Sequence, residues 1–154
     1  MKSKRPCARY AILFVVMFVL DRITKFLMVR HGIGQKVITP FLSFDLYFNR
    51  GMSWGILHSE HTAQFVFVSF LTITIIVLLT IYAFRQWQQG FSIWGEVLAL
   101  TGAVSNLIDR VWYGGVVDFI SLSYRGWSWP VFNIADACVV IGIFLMIIGF
   151  SREG

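Results

Sequence analysis

Four apolar runs dominate the sequence, and each is long enough to cross a lipid bilayer as a helix, which takes about 20 residues. They cover about residues 10–29, 63–84, 91–108 and 131–150. Only 14% of the residues are charged, whereas a soluble domain has about 25%. The sequence therefore predicts an α-helical integral membrane protein with four transmembrane helices, folded as a single domain over residues 1–154.

Basic residues predict how these helices are oriented. Four of them precede the first apolar run: Lys2, Lys4, Arg5 and Arg9. Cytoplasmic segments of membrane proteins are enriched in such residues, so both termini are expected in the cytoplasm and the longer connections, about residues 30–62 and 109–130, outside it. The basic start is typical of a signal peptide, but no small-residue cleavage site follows, so we expect an uncleaved helix. No basic stripe lies on a soluble face, so the net charge of +5 does not indicate nucleic-acid binding.

The two outer connections carry strand patterns. From Leu42 to Asn49, apolar and polar residues alternate, which is the period of a half-buried strand. A second β-like run, "VVDFISL", follows the turn at Gly114 and Gly115. We therefore predict a small extracytoplasmic β-sheet that lies on the outer membrane surface with its apolar face toward lipid or substrate. Four aromatic residues fit an interfacial belt around it: Trp112, Tyr113, Trp127 and Trp129.

Acidic residues are few, and most lie in apolar surroundings. Of the eight in the chain, five lie within, at the ends of or beside apolar runs: Asp21, Glu96, Asp109, Asp118 and Asp136. An ionised carboxylate at bilayer depth costs on the order of 2.5–3.5 kcal/mol on insertion scales, so such residues usually have a function. All of these acids except Glu96 are expected at one level, just below the outer surface.

Helix periodicity places further polar residues on the faces that pack. A series of small residues in the third run lets helices approach closely: Gly95, Ala99 and Ala103. Near the same face lie Asn106, Asp109 and Arg110. In the fourth run, Asn133 and Asp136 are three residues apart and share a side. The sequence therefore predicts one polar cluster where these helices end.

Two of the acids, Asp118 and Asp136, have no obvious basic partner nearby in the sequence. Two carboxylates at one site can share a proton, because like charges in close contact do not both ionise easily. One then acts as a general base on water while the other, protonated, polarises a carbonyl group. This chemistry hydrolyses a peptide bond without a metal or a covalent intermediate. A helix-bridging role remains open for both residues, and composition alone does not decide.

Structural roles are open for the remaining polar residues as well. Asp109 and Arg110 fit a charge pair at the end of a helix. Asp21 fits a structural partner of the neighbouring Arg22 and Lys25. Two roles fit Asn106 and Asn133 equally well: hydrogen bonding between helices and orientation of a catalytic group.

Other hydrolytic sites and cofactors are not indicated. His58 and His61 lack a carboxylate or cysteine at ligand spacing, so no metal site is predicted. A serine–lysine pair would need Lys25 beside a serine such as Ser53 or Ser105, and the spacing singles out neither. The two cysteines are far apart and give no disulfide or metal pair. No phosphate-binding glycine loop is present, and no cofactor is expected.

Five motifs together resemble those of lipoprotein signal peptidases, the bacterial type II signal peptidases. In chain order they are "LDRITK", "FNRG", "GAVSNLIDR", "VVDFI" and "FNIADA". The last three in this order are highly specific, and the resemblance covers nearly the whole chain. It implies an aspartic endopeptidase with Asp118 and Asp136 as the catalytic pair. Six further positions match residues that shape the family's site: Asp21, Asn49, Asn106, Asp109, Arg110 and Asn133.

The resemblance also implies a reaction and a location. The family cleaves prolipoproteins just before a cysteine that bears a diacylglyceryl group, and the cyclic peptide globomycin blocks its site. We therefore expect prolipoprotein substrates, membrane lipids and globomycin-type inhibitors as partners, and no cofactor. The expected location is the bacterial cytoplasmic (inner) membrane, with the active site at the extracytoplasmic face.

One departure from the family's pattern is visible. Members often continue the asparagine-x-glycine motif with small residues and a phenylalanine, whereas Gly51 is followed here by Met52, Ser53 and Trp54. The departure leaves the catalytic assignment intact. The departure affects the contacts that this loop makes with the substrate. It therefore affects the preference for residues around the cleavage site (the lipobox) and the affinity for inhibitors.

Two other classes of function remain open at this point. Buried Asp and Asn clusters also mark proton and cation pathways in transporters, although the acids here collect near one face and form no relay across the membrane. A non-enzymatic assembly subunit would use the same residues only to bind helices together. Asp118→Asn separates the three classes, because it abolishes cleavage in a folded protease and alters flux or its pH dependence in a transporter. In an assembly subunit it acts only through folding or partner binding.

Overall fold

The computed structural model describes residues 7–32, 34, 36–51 and 62–151 of the 154-residue chain. In this part of the chain, four helices and four strands follow the order α1-β1-β2-α2-α3-β3-β4-α4. The helices are α1 (Cys7–His31), α2 (Thr62–Gln88), α3 (Trp94–Tyr113) and α4 (Ile134–Ser151). The strands are β1 (Lys36–Thr39), β2 (Leu42–Asn49), β3 (Val116–Tyr124) and β4 (Trp127–Ser128). Outside the described residues lie Lys2, Lys4, Arg5, His58, His61 and the departure at Met52, Ser53 and Trp54.

The prediction of a mostly helical fold with a small sheet is confirmed, and the strands of the sheet are antiparallel. Among the described helices, length and composition single out one that can cross a membrane, over Phe65–Gln88. Helix α4 contains a shorter apolar stretch, Ile134–Gly149. Several charged residues interrupt the apolar sequences of α1 and α3. The count of four transmembrane helices therefore stays a prediction.

Helix α3 packs against α4 at very short range because small residues face each other. A Cβ atom added at Gly95 would lie 2.6 Å from the carbonyl oxygen of Gly142, and one added at Gly102 would collide with the carbonyl oxygen of Ala135. Small residues allow helix backbones to approach this closely in a membrane. The C-terminal half of α3 thereby lies directly against the first turn of α4.

Helix α3 ends at Tyr113 because the next residue, Gly114, adopts the left-handed conformation. Its φ is 67°, and its N–H donates to the carbonyl oxygen of Arg110 at 3.2 Å. The helix thus continues beyond residue 108, where the third apolar run was predicted to end. Asp109 and Arg110 remain helical because the protein buries them, at 0% and 9% exposure. They therefore occupy the last turns of α3 rather than a loop.

The strands form one antiparallel sheet in the order β1-β2-β3-β4. In the pairing of β2 with β3, Tyr47 lies opposite Asp118 and Asn49 lies opposite Val116. Residues that stand directly or diagonally opposite on neighbouring strands share a face. The register therefore places Asn49 beside Asp118.

The apolar side predicted for β2 is interrupted, because the pairing of β2 with β3 shifts register between Phe44 and Tyr47 and the alternation of side chains does not continue across the shift. The residues of this side are also not fully buried in the described protein. Ser43 is the buried residue of this strand, opposite Ser121 of β3, whereas Phe48 is 46% exposed. Phe44 is partly covered by the ring of Phe119, with 6.1 Å between the ring centroids. The predicted contact of this side with lipid or substrate stays a prediction.

Candidate active site

The fold brings Asp118 of β3 close to Asp136 in the first turn of α4. A backbone bridge joins the two elements. The N–H of Ile120 donates to the carbonyl oxygen of Phe132 at 2.8 Å, and the N–H of Phe132 donates back to Ile120 at 3.1 Å. This bridge sets the start of α4 against β3. We call Asp118 and Asp136 the aspartate pair.

The orientation of Asp136 follows from its position in the helix. Asn133 precedes α4, and its Oδ1 accepts the backbone N–H of Asp136 at 2.8 Å. In return, Oδ2 of Asp136 accepts the backbone N–H of Asn133 at 3.2 Å. This reciprocal arrangement is a capping box, which satisfies N–H groups that have no partner inside the helix. The cap that begins α4 therefore also fixes one carboxyl group of the pair.

Three asparagine amides hold the remaining carboxyl oxygens of the aspartate pair. Asn106 donates to Oδ1 of Asp136 at 2.8 Å. Asn133 donates to Oδ1 of Asp118 at 2.7 Å, and Asn49 donates to Oδ2 of Asp118 at 3.0 Å. Each carboxyl oxygen thus accepts a hydrogen bond from a defined N–H group. Asn133 contacts both aspartates and links them.

The two carboxyl groups differ in their surroundings. Asp118 is only 2% exposed, and its burial and the negative charge of Asp136 raise the pKa of Asp118 to about 7. The amides of Asn49 and Asn133 and the charge of Lys25 oppose this rise. Asp136 is half-buried and lies at a helix N-terminus. The pKa of Asp118 thus lies well above the usual value for an aspartate, so this carboxyl group can hold a proton near neutral pH.

A buried charge cluster adjoins the aspartate pair and consists of Asp21, Arg22, Lys25 and Asp109. The Nζ atom of Lys25 lies 2.9 Å from Asp21 and 2.7 Å from Asp109, and Arg22 pairs with the other oxygen of Asp109. Asp21 also accepts the backbone N–H of Ala135 at 2.8 Å. The cluster thereby fixes the same turn of α4 that carries Asp136.

The expected charge pair between Asp109 and Arg110 is wrong. Asp109 pairs with Arg22 and Lys25 and accepts a backbone N–H at the start of β3 at 3.2 Å. Consecutive residues of a helix point about 100° apart, so Arg110 faces elsewhere and donates to the carbonyl oxygen of Gly51 at 3.4 Å. Arg110 thus joins α3 to the end of the β2 segment.

Three residues that contact the site were not among the predicted site residues: Arg22, Lys25 and Ser105. Lys25 follows Asp21 by four residues inside an apolar run, which is the spacing of an ion pair on one helix face. That spacing is a signal for Lys25 as a further site residue. Ser105 is buried and donates its hydroxyl to Asp21 at 2.6 Å. Nothing in the sequence distinguishes it from the other serines.

Lys25 and Ser105 do not form the serine–lysine arrangement considered above. The Ser105 hydroxyl is 0% exposed and is bonded to Asp21. The Lys25 ammonium already donates to oxygen atoms of Asp21, Asp109 and Asn106, which leaves it no free hydrogen for a further partner. Within the described residues, no group of three His, Cys, Asp or Glu side chains is placed to share a metal ion.

A cavity of about 440 Å³ opens beside Asp136. Apart from this carboxyl group, the side chains around it are apolar: Trp129, Pro130, Val131, Phe132, Ala137, Val140 and Ile141. It follows the first two turns of α4. One member of the aspartate pair is therefore accessible from an apolar groove of a size that suits part of an extended apolar ligand.

Comparison with known proteins establishes the family. A family model for signal peptidase (SPase) II matches residues 13–152, which is nearly the whole chain. The chain belongs to the signal peptidase II family. A lipoprotein signal peptidase of Staphylococcus aureus (strain MRSA252) is 36% identical over 146 residues, covering 91% of this chain and 85% of that protein. A lipoprotein signal peptidase of Janthinobacterium sp. (strain Marseille) is 36% identical over 134 residues, covering 86% and 81%.

Two solved structures of bacterial membrane enzymes, determined by the in meso method, share the fold of this signal peptidase II family member. The first, at 2.3 Å resolution, gives a TM-score of 0.78 at 28% identity and covers 99% of this chain and 93% of the other. The second, at 1.9 Å, gives a TM-score of 0.76 at 27% identity, with 100% and 99% covered. The family predicted from the motifs is confirmed, and the chain is a protease of a bacterial membrane.

Proposed function

We propose that this signal peptidase II family member is an aspartic endopeptidase that removes signal peptides from diacylglyceryl-modified prolipoproteins. Cleavage takes place just before the lipidated cysteine. One observation carries the aspartic mechanism: Asn133 donates hydrogen bonds to the carboxyl groups of both Asp118 and Asp136, so two carboxyl groups lie at one site. The relatives named lipoprotein signal peptidase support the substrate class.

The two carboxyl groups have different roles in this mechanism. Asp136, ionised and accessible from the groove, takes a proton from a water molecule, whose oxygen attacks the scissile carbonyl carbon. Asp118, protonated, donates its proton to the carbonyl oxygen. In the tetrahedral intermediate, the C–N bond then breaks, and the leaving amine takes the proton from Asp136. Asp118 recovers its proton as the new carboxyl group forms, which returns the aspartate pair to its starting state.

The six supporting residues position the pair in this proposal. Asn49, Asn106 and Asn133 aim N–H groups at the carboxyl oxygens. Asp21 and Asp109 anchor the first turn of α4 and the start of β3 through backbone N–H groups. Arg110 holds the segment after β2 in place through Gly51. Each of them acts through geometry, because a general base must lie within hydrogen-bond reach of its proton.

The groove beside Asp136 suits the apolar part of the substrate. A prolipoprotein presents an apolar signal peptide and acyl chains next to its scissile bond. The apolar side chains of the groove exclude water and bind such groups, while Asp136 lies within reach of the bond to be cut. Globomycin-type inhibitors compete for the same place in this proposal.

The proposed topology places the aspartate pair near the extracytoplasmic face of the membrane. All four helices span the bacterial cytoplasmic membrane, with both termini in the cytoplasm and the sheet on the extracytoplasmic side. The C-terminal end of α3, the N-terminal end of α4 and β3 meet at the aspartate pair. A signal peptide that spans the same membrane presents its cleavage site at this level.

The test is cleavage of a diacylglyceryl-modified prolipoprotein by the purified protein in detergent or lipid. We expect Asp118→Asn and Asp136→Asn each to lower the rate by a factor on the order of 10²–10⁴, with unchanged folding. The matched control is Asp45→Asn, because Asp45 lies in the same sheet and bonds to Tyr47 instead of the pair. Wild-type activity in either catalytic variant would contradict the aspartic mechanism. Well-folded wild-type protein that leaves the substrate intact would contradict the function, and proton flux in vesicles would then be measured.

A further inference from the structure

Lys25 is fully buried, with 0% of its side chain exposed, and its ammonium group is surrounded by polar side chains. Its Nζ atom lies 2.9 Å from Asp21 and 2.7 Å from Asp109. Its third contact is the Oδ1 atom of Asn106, at 2.8 Å. A buried ammonium is costly unless every N–H group has a partner, and here all three have one. Lys25 therefore connects the charge cluster to the aspartate pair, because Asn106, which it contacts, also bonds to Asp136.

The contact with Lys25 determines which way the Asn106 amide faces. An ammonium group only donates hydrogen bonds, so the oxygen of Asn106 must face Lys25 and the NH₂ group must face away from it. The NH₂ group accordingly donates to Oδ1 of Asp136 at 2.8 Å. A weaker bond from the NH₂ group of Asn133 to Oδ1 of Asn106, at 3.3 Å, supports this orientation. If the amide were turned over, its oxygen would face the carboxylate and repel it.

We propose, on the basis of the function proposed above, that Lys25 is a positioning residue for the aspartate pair. Its charge fixes the Asn106 amide so that this amide donates to Asp136 and holds the ionised carboxylate in place for attack by water. Hydrogen bonds to charged groups are shorter and stronger than neutral ones, so Lys25 constrains the amide more strongly than Asn133 does.

The charge cluster also stabilises the fold, and the test must distinguish this structural role from positioning of the aspartate pair. Within it, Lys25 and Arg22 balance the two carboxylates of Asp21 and Asp109. Removal of Lys25 alone leaves an unbalanced buried charge, which is strongly destabilising. A loss of activity in Lys25→Met therefore does not separate folding from positioning.

The variant that separates them is Lys25→Met combined with Asp21→Asn. This pair of changes restores the charge balance, and the new amide at position 21 can still accept the N–H of Ala135. It leaves Asn106 without its ammonium partner. We expect normal thermal unfolding, a kcat lower by a factor on the order of a hundred, and a KM within about threefold of the wild type. The reference variant is Asp21→Asn alone, which keeps Lys25 against Asn106. Because it also unbalances the charge cluster, its unfolding temperature is measured as well, and kcat values are compared only for folded protein.

The pH profile gives a second readout, which a purely structural role would not change. The charged and titratable groups around Lys25 are Asp21 and Arg22 on α1, Asp109 and Arg110 on α3, Asp118 on β3 and Asp136 on α4. Loss of the cation favours protonated carboxyl groups. The acidic limb of the pH–rate profile should therefore move to higher pH in the double variant relative to Asp21→Asn.

A third variant tests whether Lys25 acts through Asn106. In an Asn106→Leu background, the two added changes should lower kcat by less than twofold, because the amide that they misplace is already absent. If they lower kcat as much as in the wild-type background, or if the folded double variant cleaves with the kcat and pH profile of Asp21→Asn, Lys25 is not a positioning residue. Should the double variant fail to fold, Lys25→Gln is compared with the wild type and, separately, in the Asn106→Leu background. A loss of kcat that is equal in both backgrounds, or absent from both, would contradict the proposal. A wild type without cleavage in the same assay would instead contradict the proposed function.

Discussion

Asn133 and Asp136 cap each other at the start of α4, with the Asp136 N–H bonded to the Asn133 side chain at 2.8 Å and the Asn133 N–H bonded to the Asp136 side chain at 3.2 Å. Such a cap usually serves helix stability alone. Here the remaining group of the Asn133 side chain, its NH₂, donates to Asp118 at 2.7 Å. One side chain therefore begins the helix and sets the distance between the two carboxyl groups.

This double role predicts different results for two substitutions of Asn133. Serine is also a good N-cap, but it has no N–H group that reaches Asp118. We expect Asn133→Ser to retain most of the stability and to lose most of the cleavage activity. Asn133→Ala should lose activity and, relative to the serine variant, about another 1 kcal/mol of stability. Thermal unfolding and cleavage rates check both statements, and a serine variant with wild-type activity would contradict the role of the amide.

The pH dependence of cleavage depends on the proton of Asp118. Burial raises the pKa of Asp118 to about 7, and the amide of Asn49 holds it below the value that burial alone would give. Since the proposed mechanism needs protonated Asp118, the rate should fall above about pH 7. In Asn49→Ala the pKa of Asp118 rises further, so the basic limb should move to higher pH by up to about one unit. Tyr47→Phe is the control, because Tyr47 lies opposite Asp118 but bonds to Asp45. A profile that moves in the control and stays in the Asn49 variant would refute this prediction.

Stability should depend on pH through the same group. The pKa of Asp118 is about 7 in the folded protein and 3.8 without the fold, so between these values the folded protein holds a proton that the unfolded chain releases. The contribution of neutral Asp118 to stability is fully present below about pH 4 and declines as the pH rises to about 7. The difference in unfolding temperature between pH 5 and pH 8 should therefore be smaller in Asp118→Asn than in the wild type. An equal difference in both would show that another group causes the pH dependence.

The sequence predicted most of the polar residues at the site because their positions follow from helix periodicity and motif order. Asn106 and Asp109 lie three residues apart on one face of α3, and Asn133 and Asp136 do so at the start of α4. The structure confirms that these faces meet, through the bond from Asn106 to Asp136. A short-range pattern was sufficient here, since each pair lies within one helix.

The parts that the sequence did not predict depend on contacts between distant segments. Arg22, rather than the adjacent Arg110, pairs with Asp109, because the packing of α1 on α3 decides which cation is near. Ser105 bonds to Asp21 for the same reason. Helix α3 also ends later than the apolar run that was predicted to end at about residue 108. The left-handed conformation of Gly114 ends the helix, and the charged residue Asp109 does not. Pairing with opposite charges offsets part of the desolvation cost of charges inside a helix bundle.

The close approach of α3 to α4 predicts a pair of glycine variants with opposite results. In Gly102→Ala the added methyl group collides with the carbonyl oxygen of Ala135, next to Asp136. We expect a loss of about 1–3 kcal/mol in stability and a lower kcat, because the first turn of α4 must shift. In Gly149→Ala, near the C-terminal end of α4, the methyl group meets no atom within 4 Å, so stability and activity should be unchanged or slightly improved. Equal effects of the two changes on unfolding and cleavage would contradict the packing argument.

The apolar side of β2 predicts a contact with the lipid part of the substrate. Leu42 and Leu46, which lie on either side of Phe44 where the register of β2 begins to shift, are only half-buried in the described protein, and partly uncovered apolar side chains are typical of a binding or membrane surface. Replacing both with serine should weaken the binding of a diacylglyceryl-modified substrate, seen as a higher KM, with little change in kcat. The control is Asp45→Ser, a polar position of the same strand, which should leave KM unchanged. If the double variant binds the lipidated substrate as tightly as the wild type does, this face of the sheet does not contact the acyl chains.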